Sequence, residues 1–177
     1  DGVFSMDGDI APLRAICALA EQYRALVVVD DSHATGFMGD HGYGTHEHCG
    51  VEKGVDVITS TYGKALGGAS GGFVAGHKEI IDMLRQRSRT YLFSNSLPPM
   101  MAGGALFAME YIKAHPELRE RLWENTVYFR SQMQKAGFAV PESIHPIVPV
   151  MLGDAQRAQD MAQAMREEGI YVVAFSY

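Results

Sequence analysis

Two short segments gather the side chains that could do covalent chemistry. In Val28-Val29-Asp30-Asp31-Ser32-His33-Ala34-Thr35-Gly36, two carboxylates and an imidazole close a β-branched run. The carboxyl end of a buried strand is where open α/β sheets bind ligands. As the last strand residue, Asp30 is expected to be largely desolvated, and a carboxylate there needs a cation or several donors. A protonated pyridine nitrogen would answer that need; equally, Asp30 or Asp31 could serve only to cap the loop that follows. In Thr59-Ser60-Thr61-Tyr62-Gly63-Lys64-Ala65-Leu66-Gly67-Gly68-Ala69-Ser70-Gly71-Gly72, hydroxyls precede a lysine set among glycines. Glycine lets the backbone approach a ligand and adopt positive φ, and Ser60 and Thr61 could donate to a phosphate. The amine of Lys64 then lies where it could reach a cofactor aldehyde, the task of a Schiff-base lysine. The phosphate-loop nucleotide pattern does not fit, because Ala65 stands where Ser or Thr must follow Gly63-Lys64. An acid at one strand end and a glycine-set lysine at another are together what a pyridoxal phosphate site demands: one group to hold the ring protonated and one to form the imine.

These groups need a sheet to carry them. Between Ile10 and Tyr23 the apolar residues recur at helical spacing, and Ala25 to Val29 reads as a buried strand. Val55 to Thr59 and Gly72 to Ala75 read as further strands, and Lys78 to Arg87 as a helix. Alternation of this kind predicts an α/β fold, a mainly parallel sheet covered by helices. The apolar stretch Leu97 to Ile112 contains Glu110 and is too short to span a bilayer, so a buried helix running to Ala114 is expected. Pro116 opens another helix to about Ala136. Ile147 to Leu152 reads as an edge strand, Asp154 as the cap of a helix to Glu168, and Tyr171 to Val173 as a last strand. The expected division is the central part of a large cofactor-binding domain over residues 1–114 and the start of a smaller α+β domain over 115–177, both cut at their outer ends.

The stretches Asp30 to Gly36, Thr61 to Gly72 and Arg85 to Pro98 resemble those of the α-oxoamine synthase family of fold-type I pyridoxal phosphate enzymes. The Gly63-to-Gly72 run and Tyr91-Leu92-Phe93-Ser94-Asn95-Ser96-Leu97 are most similar to the branch that condenses glycine with acetyl-CoA, giving 2-amino-3-ketobutyrate and CoA in threonine and glycine metabolism. The resemblance implies that Lys64 carries the cofactor and acts as acid and base at the substrate α-carbon, that Asp30 partners the pyridine nitrogen, and that His33, with Ser32 beside it, lies near the ring hydroxyl. It implies that Ser5 contacts that same oxygen, that Thr61 binds the phosphate, and that Ser94 and Asn95 reach the cofactor of a neighbouring subunit. The active form would be a homodimer with shared sites. Tyr43, Tyr62 and Thr90 depart from the family pattern, none at a group that touches the chemistry. The family's phosphate-cradling turn and ring-stacking aromatic are expected upstream of Asp1, and its carboxylate-binding arginine beyond Tyr177, so this stretch by itself should be inactive. A catalytically inactive regulatory subunit of the same fold, or a synthase using another acyl-CoA or amino acid, is the competing reading.

The remaining candidates have plainer explanations. His46-Glu47-His48-Cys49, with His41 nearby, has the composition of a metal site but no second cluster to complete it, so no metal is expected. Arg85, Arg87 and Arg89 could meet CoA phosphates, though an interface use is preferred. Met100, Met101 and Met109 fit core filling. With a formal charge of -6 over 177 residues and no basic stripe, neither nucleic acid nor a membrane is an expected partner. Cys17 and Cys49 are far apart and read as reduced thiols, which points to the cytoplasm or, in a eukaryote, the mitochondrial matrix.

Overall fold

The computed structural model describes residues 1–67 and 70–176; Gly68 and Ala69 of the glycine run, and Tyr177, lie outside the described residues. Helix α1 (Leu13–Tyr23) starts after Pro12 rather than at Ile10, because Ile10 is held in a bridge to Val3. It ends where Arg24 turns to a left-handed φ of 53° and the Ala25 amide returns to the Ala20 carbonyl, a common way to satisfy the last carbonyls. The chain then enters β1 (Val28–Asp30), shorter than the β-branched run because Ala25 is still engaged in that helix end.

β1 pairs in parallel with β2 (Val57–Thr61), and β2 pairs antiparallel with β3 (Gly72–Gly76). A parallel pair requires a crossover; here residues 31–56 provide it, including the short helix α2 (Thr45–His48). β2 is thus the centre of the three-stranded sheet, with the 62–71 loop leaving its end. Two small cores flank β1. Ala11, Leu13, Val27 and Val29 form one, with Cys17 and Cys49 packed against it as free thiols. Val3, Ala34 and Met38 form the other, with Phe37, Trp123 and Ile147 around them.

Beyond the sheet come α3 (Lys78–Arg87), α4 (Arg89–Phe93), α5 (Pro99–Ala114), α6 (Glu117–Lys135) and α7 (Ala155–Glu167). The Asp154 carboxylate accepts from the Arg157 amide at 2.9 Å and caps α7 as its position indicated. α5 is not the buried helix expected from its composition. Ala105 is its one buried residue, while Leu106 and Phe107 are exposed, and so are Met100 and Met109, which therefore do not fill a core. The helix is mostly apolar, with Glu110 and Lys113 as its charged residues, and the described residues leave much of it uncovered.

The two strands expected after α6 do not form. Residues 147–152 contribute only an isolated bridge, Met151 to Ala139, and residues 171–173 form no strand. The reason is visible at Ile147, whose amide donates to the His145 ring and whose carbonyl accepts from Arg130, leaving no backbone group for a neighbouring strand. Among the described residues, no helix is long and apolar enough to cross a membrane.

Candidate functional site

The carboxyl end of β1 presents two aspartates to opposite surroundings. Side chains alternate along a strand, so Val29 and Asp31 turn inward while Val28 and Asp30 turn out. The expectation that Asp30 is desolvated is therefore corrected: Asp30 is exposed and Asp31 is fully buried. Asp30 lies directly across from Thr59 in the parallel register, and its Oδ2 accepts from the Thr59 hydroxyl at 3.0 Å while its Oδ1 accepts from the Ser32 amide at 3.1 Å. Partial burial pulls its pKa up, but the Ser32 and Thr59 hydrogen bonds and the Lys64 charge outweigh it and hold the carboxyl below its usual range. Asp31 accepts from the Thr45 amide at 2.9 Å and from the Thr45 hydroxyl, pinning the start of α2. Burial raises its pKa more than those bonds lower it. Each aspartate thus does cap the chain that follows it, and only Asp30 keeps a face open to a ligand.

Lys64 stands on the loop that leaves β2. That loop is closed at its base where the Gly71 carbonyl accepts from the Tyr62 amide at 3.0 Å and from the Thr61 hydroxyl at 3.1 Å. Thr61 Oγ1 also accepts from the Gly63 amide at 3.1 Å, so its hydroxyl shapes the turn that presents Lys64. Gly71 sits at φ 92°, and at Gly72 an added Cβ would run into the Ser60 carbonyl of the paired strand, so glycine is required by conformation at one position and by close approach at the other. Ser32, His33 and Lys64 line one cavity of about 520 Å³, whose far wall comes from Ile112, Leu122 and Ile147. Burial lowers the pKa of His33, the Lys64 charge lowers it further, and Asp30 opposes both weakly. Asp30, His33 and Lys64 are therefore one electrostatic group at the ends of two neighbouring strands.

A second cavity of about 430 Å³ shares Ala65 and Ile112 with the first and runs along α5 past Met101 and Phe107. Ser5, Ser94 and Asn95 are exposed and line neither cavity. His41 and His46 are drawn apart: His41 Nδ1 meets Glu47 at 2.5 Å, and His46 Nδ1 lies 3.9 Å from Asp31. No group of three or more His, Cys, Asp or Glu among the described residues is arranged to hold a metal ion.

Sequence reasoning did not single out His145. It is buried, lines the first cavity, and joins the His33 carbonyl through Nε2 at 2.9 Å. Arg130 holds the same segment by donating to the carbonyls of Pro141, His145 and Ile147 at 2.7 to 2.9 Å. The available signal was a lone histidine directly before Pro146, just ahead of the run from Ile147 read as an edge strand.

A carboxylate held anionic, a lysine on a glycine-bounded turn and an apolar-walled cavity lined by that lysine suit a flat cationic ring carrying an aldehyde. The family model for aminotransferase class I and II matches residues 1–177. The chain is 56% identical over 177 residues to the 2-amino-3-ketobutyrate coenzyme A ligase of Escherichia coli K12, covering 100% of this chain and 44% of that protein. It is 54% identical to the mitochondrial protein of that name from Bos taurus, again over the whole chain and 42% of the relative. The chain thus spans less than half the length of the curated relatives it matches. A serine palmitoyltransferase from S. paucimobilis, solved with a bound PLP-myriocin aldimine, superposes with a TM-score of 0.92 at 37% identity, over 97% of this chain and 45% of that one.

Proposed function

Because the chain belongs to the aminotransferase class I and II family, we propose that its parent protein is a pyridoxal phosphate-dependent acyltransferase that condenses glycine with acetyl-CoA to 2-amino-3-ketobutyrate and CoA. The observation that carries this reading is the meeting of Asp30, His33 and Lys64 at the ends of adjacent parallel strands, with Lys64 acting electrostatically on the other two. The names of the relatives at 52 to 56% identity support the substrates.

Pyridoxal phosphate, when bound, supplies an aldehyde for amines and a ring that takes up electrons from the substrate α-carbon. Lys64 would hold the group covalently through Nζ and, once displaced by glycine, move the α-proton with that same atom. Asp30, kept anionic by Ser32 and Thr59, would keep a proton on the ring nitrogen. Ser32 and His33 would face the ring hydroxyl together with Ser5. Thr61 would turn its hydroxyl from the Gly71 carbonyl to the phosphate. Ser94 and Asn95 would serve the partner subunit's site in a homodimer, a reading supported by the exposed apolar side chains of α4 and α5, among them Phe93, Met100 and Phe107. The smaller domain would begin at residue 115, where α5 has ended and Pro116 opens α6. The expected compartment is the cytoplasm, or the mitochondrial matrix in a eukaryote, as the name of the bovine relative suggests.

Release of free CoA thiol by the full-length protein tests the reading, with glycine compared with alanine and serine, and acetyl-CoA with longer thioesters. Release selective for glycine and acetyl-CoA is expected. A longer donor or another amino acid would move the protein to a sister synthase, and no release with any pair would favour an inactive regulatory subunit. Replacing Asp30 with Ala is expected to leave the cofactor attached to Lys64 while turnover falls on the order of a hundredfold or more; full turnover in that variant would refute its role.

A further inference from the structure

One side chain on the cavity wall takes no part in this chemistry, yet both of its nitrogens are bonded. His145 Nε2 lies 2.9 Å from the His33 carbonyl, and Nδ1 receives the Ile147 amide at 3.0 Å. A carbonyl only accepts and an amide N–H only donates, so the ring is neutral with its proton on Nε2. An imidazolium would set a second N–H against that of Ile147. The edge contact with Phe37, at 5.4 Å between ring centroids, adds an apolar wall. Arg130 of α6 bonds to the carbonyl of His145 itself at 2.7 Å and, with His33, is the charged or titratable group acting on the ring. Burial first, and then the charges of His33 and Arg130, lower the pKa of His145 against the opposing pull of the His33 carbonyl.

We propose that His145 is a positioning residue for His33: its Nε2–H holds the backbone from which the His33 side chain lines the Lys64 cavity. The inference deepens the cofactor-site reading and rests on it, since only there does the aim of His33 matter to catalysis. Protonating His145 costs the Ile147 bond and sets two N–H groups against each other; the ring relieves that clash by leaving its place, which gives up the Nε2 bond to the loop after β1. Placement of His33 therefore depends on a segment 112 residues away and on pH.

Deuterium exchange of backbone amides in the full-length protein reads this loop without cofactor or turnover. His145→Leu removes the bond at similar bulk, whereas His145→Gln keeps a donor and cannot titrate. The Leu variant is expected to speed exchange at Ala34 to Met38 about tenfold, the factor for one hydrogen bond of ordinary net strength, with β2 unchanged and the Gln variant slow. Wild type should lose loop protection below about pH 6.5, after correction for intrinsic rates, and the Gln variant should not. Equal loop exchange in the three proteins, or loss spread evenly over β2, would overturn the inference. Should the Leu variant fail to fold, identical pH responses in wild type and Gln variant would overturn it. Affinity for pyridoxal phosphate should weaken in the Leu variant and return in the Gln variant. A wild type that takes up no pyridoxal phosphate would refute the cofactor-site reading, while the exchange result would still decide whether His145 holds the loop.

Discussion

At residues 30 and 31, two carboxylates one bond apart in sequence do different work because the strand that carries them alternates. Asp31 points inward and satisfies the Thr45 amide, so Asp31→Ala leaves that buried donor bare and is expected to cost about 1–3 kcal/mol, read as a lower urea midpoint. Asp30→Asn, on the open face, should change stability by less than about 0.5 kcal/mol in the same measurement, whatever it does to turnover. Lys64, Asp30 and His33 were legible as candidates because unusual residue types cluster beside glycines and strand ends. Which aspartate is buried was not legible, because that depends on strand parity and on which face is covered. His145 was invisible for another reason: its partner is the carbonyl of a residue 112 positions earlier, and no local pattern records such a pairing.

Among the elements, helices announced themselves better than strands. The spacing of Ile80, Ile81 and Leu84 gave α3 its full extent, and Asp154 gave the start of α7. Asp154→Ala should cost about 1 kcal/mol, the usual worth of an N-cap, seen as a drop in Tm without change in the β2–β3 pairing. A strand is real only where a neighbour accepts its ladder, and residues 147–152 look like one in composition while Arg130 and His145 take the backbone groups of Ile147. β2 shows the converse, since it is paired on both sides. Gly72→Val would force the Ser60 carbonyl away from β3, and the expected result is destabilisation of about 2 kcal/mol or more together with weaker cofactor retention, because the Lys64 loop is anchored at Gly71.

Over the whole molecule, α5 is the clearest disagreement between composition and environment: an apolar helix is exposed along most of its length. Hydropathy told that the helix wants cover; it could not tell that the described residues leave it bare. The pH dependence of folding is also a property of the whole. The pKa of His145 is depressed on folding, so the unfolded chain binds a proton that the folded one refuses. The stability this group contributes is present above its unfolded pKa of about 6.5 and falls as pH drops below that value, by about 1.4 kcal/mol for each unit of depression. Urea midpoints between pH 5 and 7.5 should show that slope in wild type and a shallower one in His145→Gln. Trp123, the one indole in the sequence, meets Phe37 at 6.1 Å between centroids, and Phe37 lines the Lys64 cavity. A chromophore seated in that cavity would lie within resonance energy transfer range of the indole, so uptake of a coloured ligand would be read as quenched ultraviolet emission from a donor the fold has already put in place.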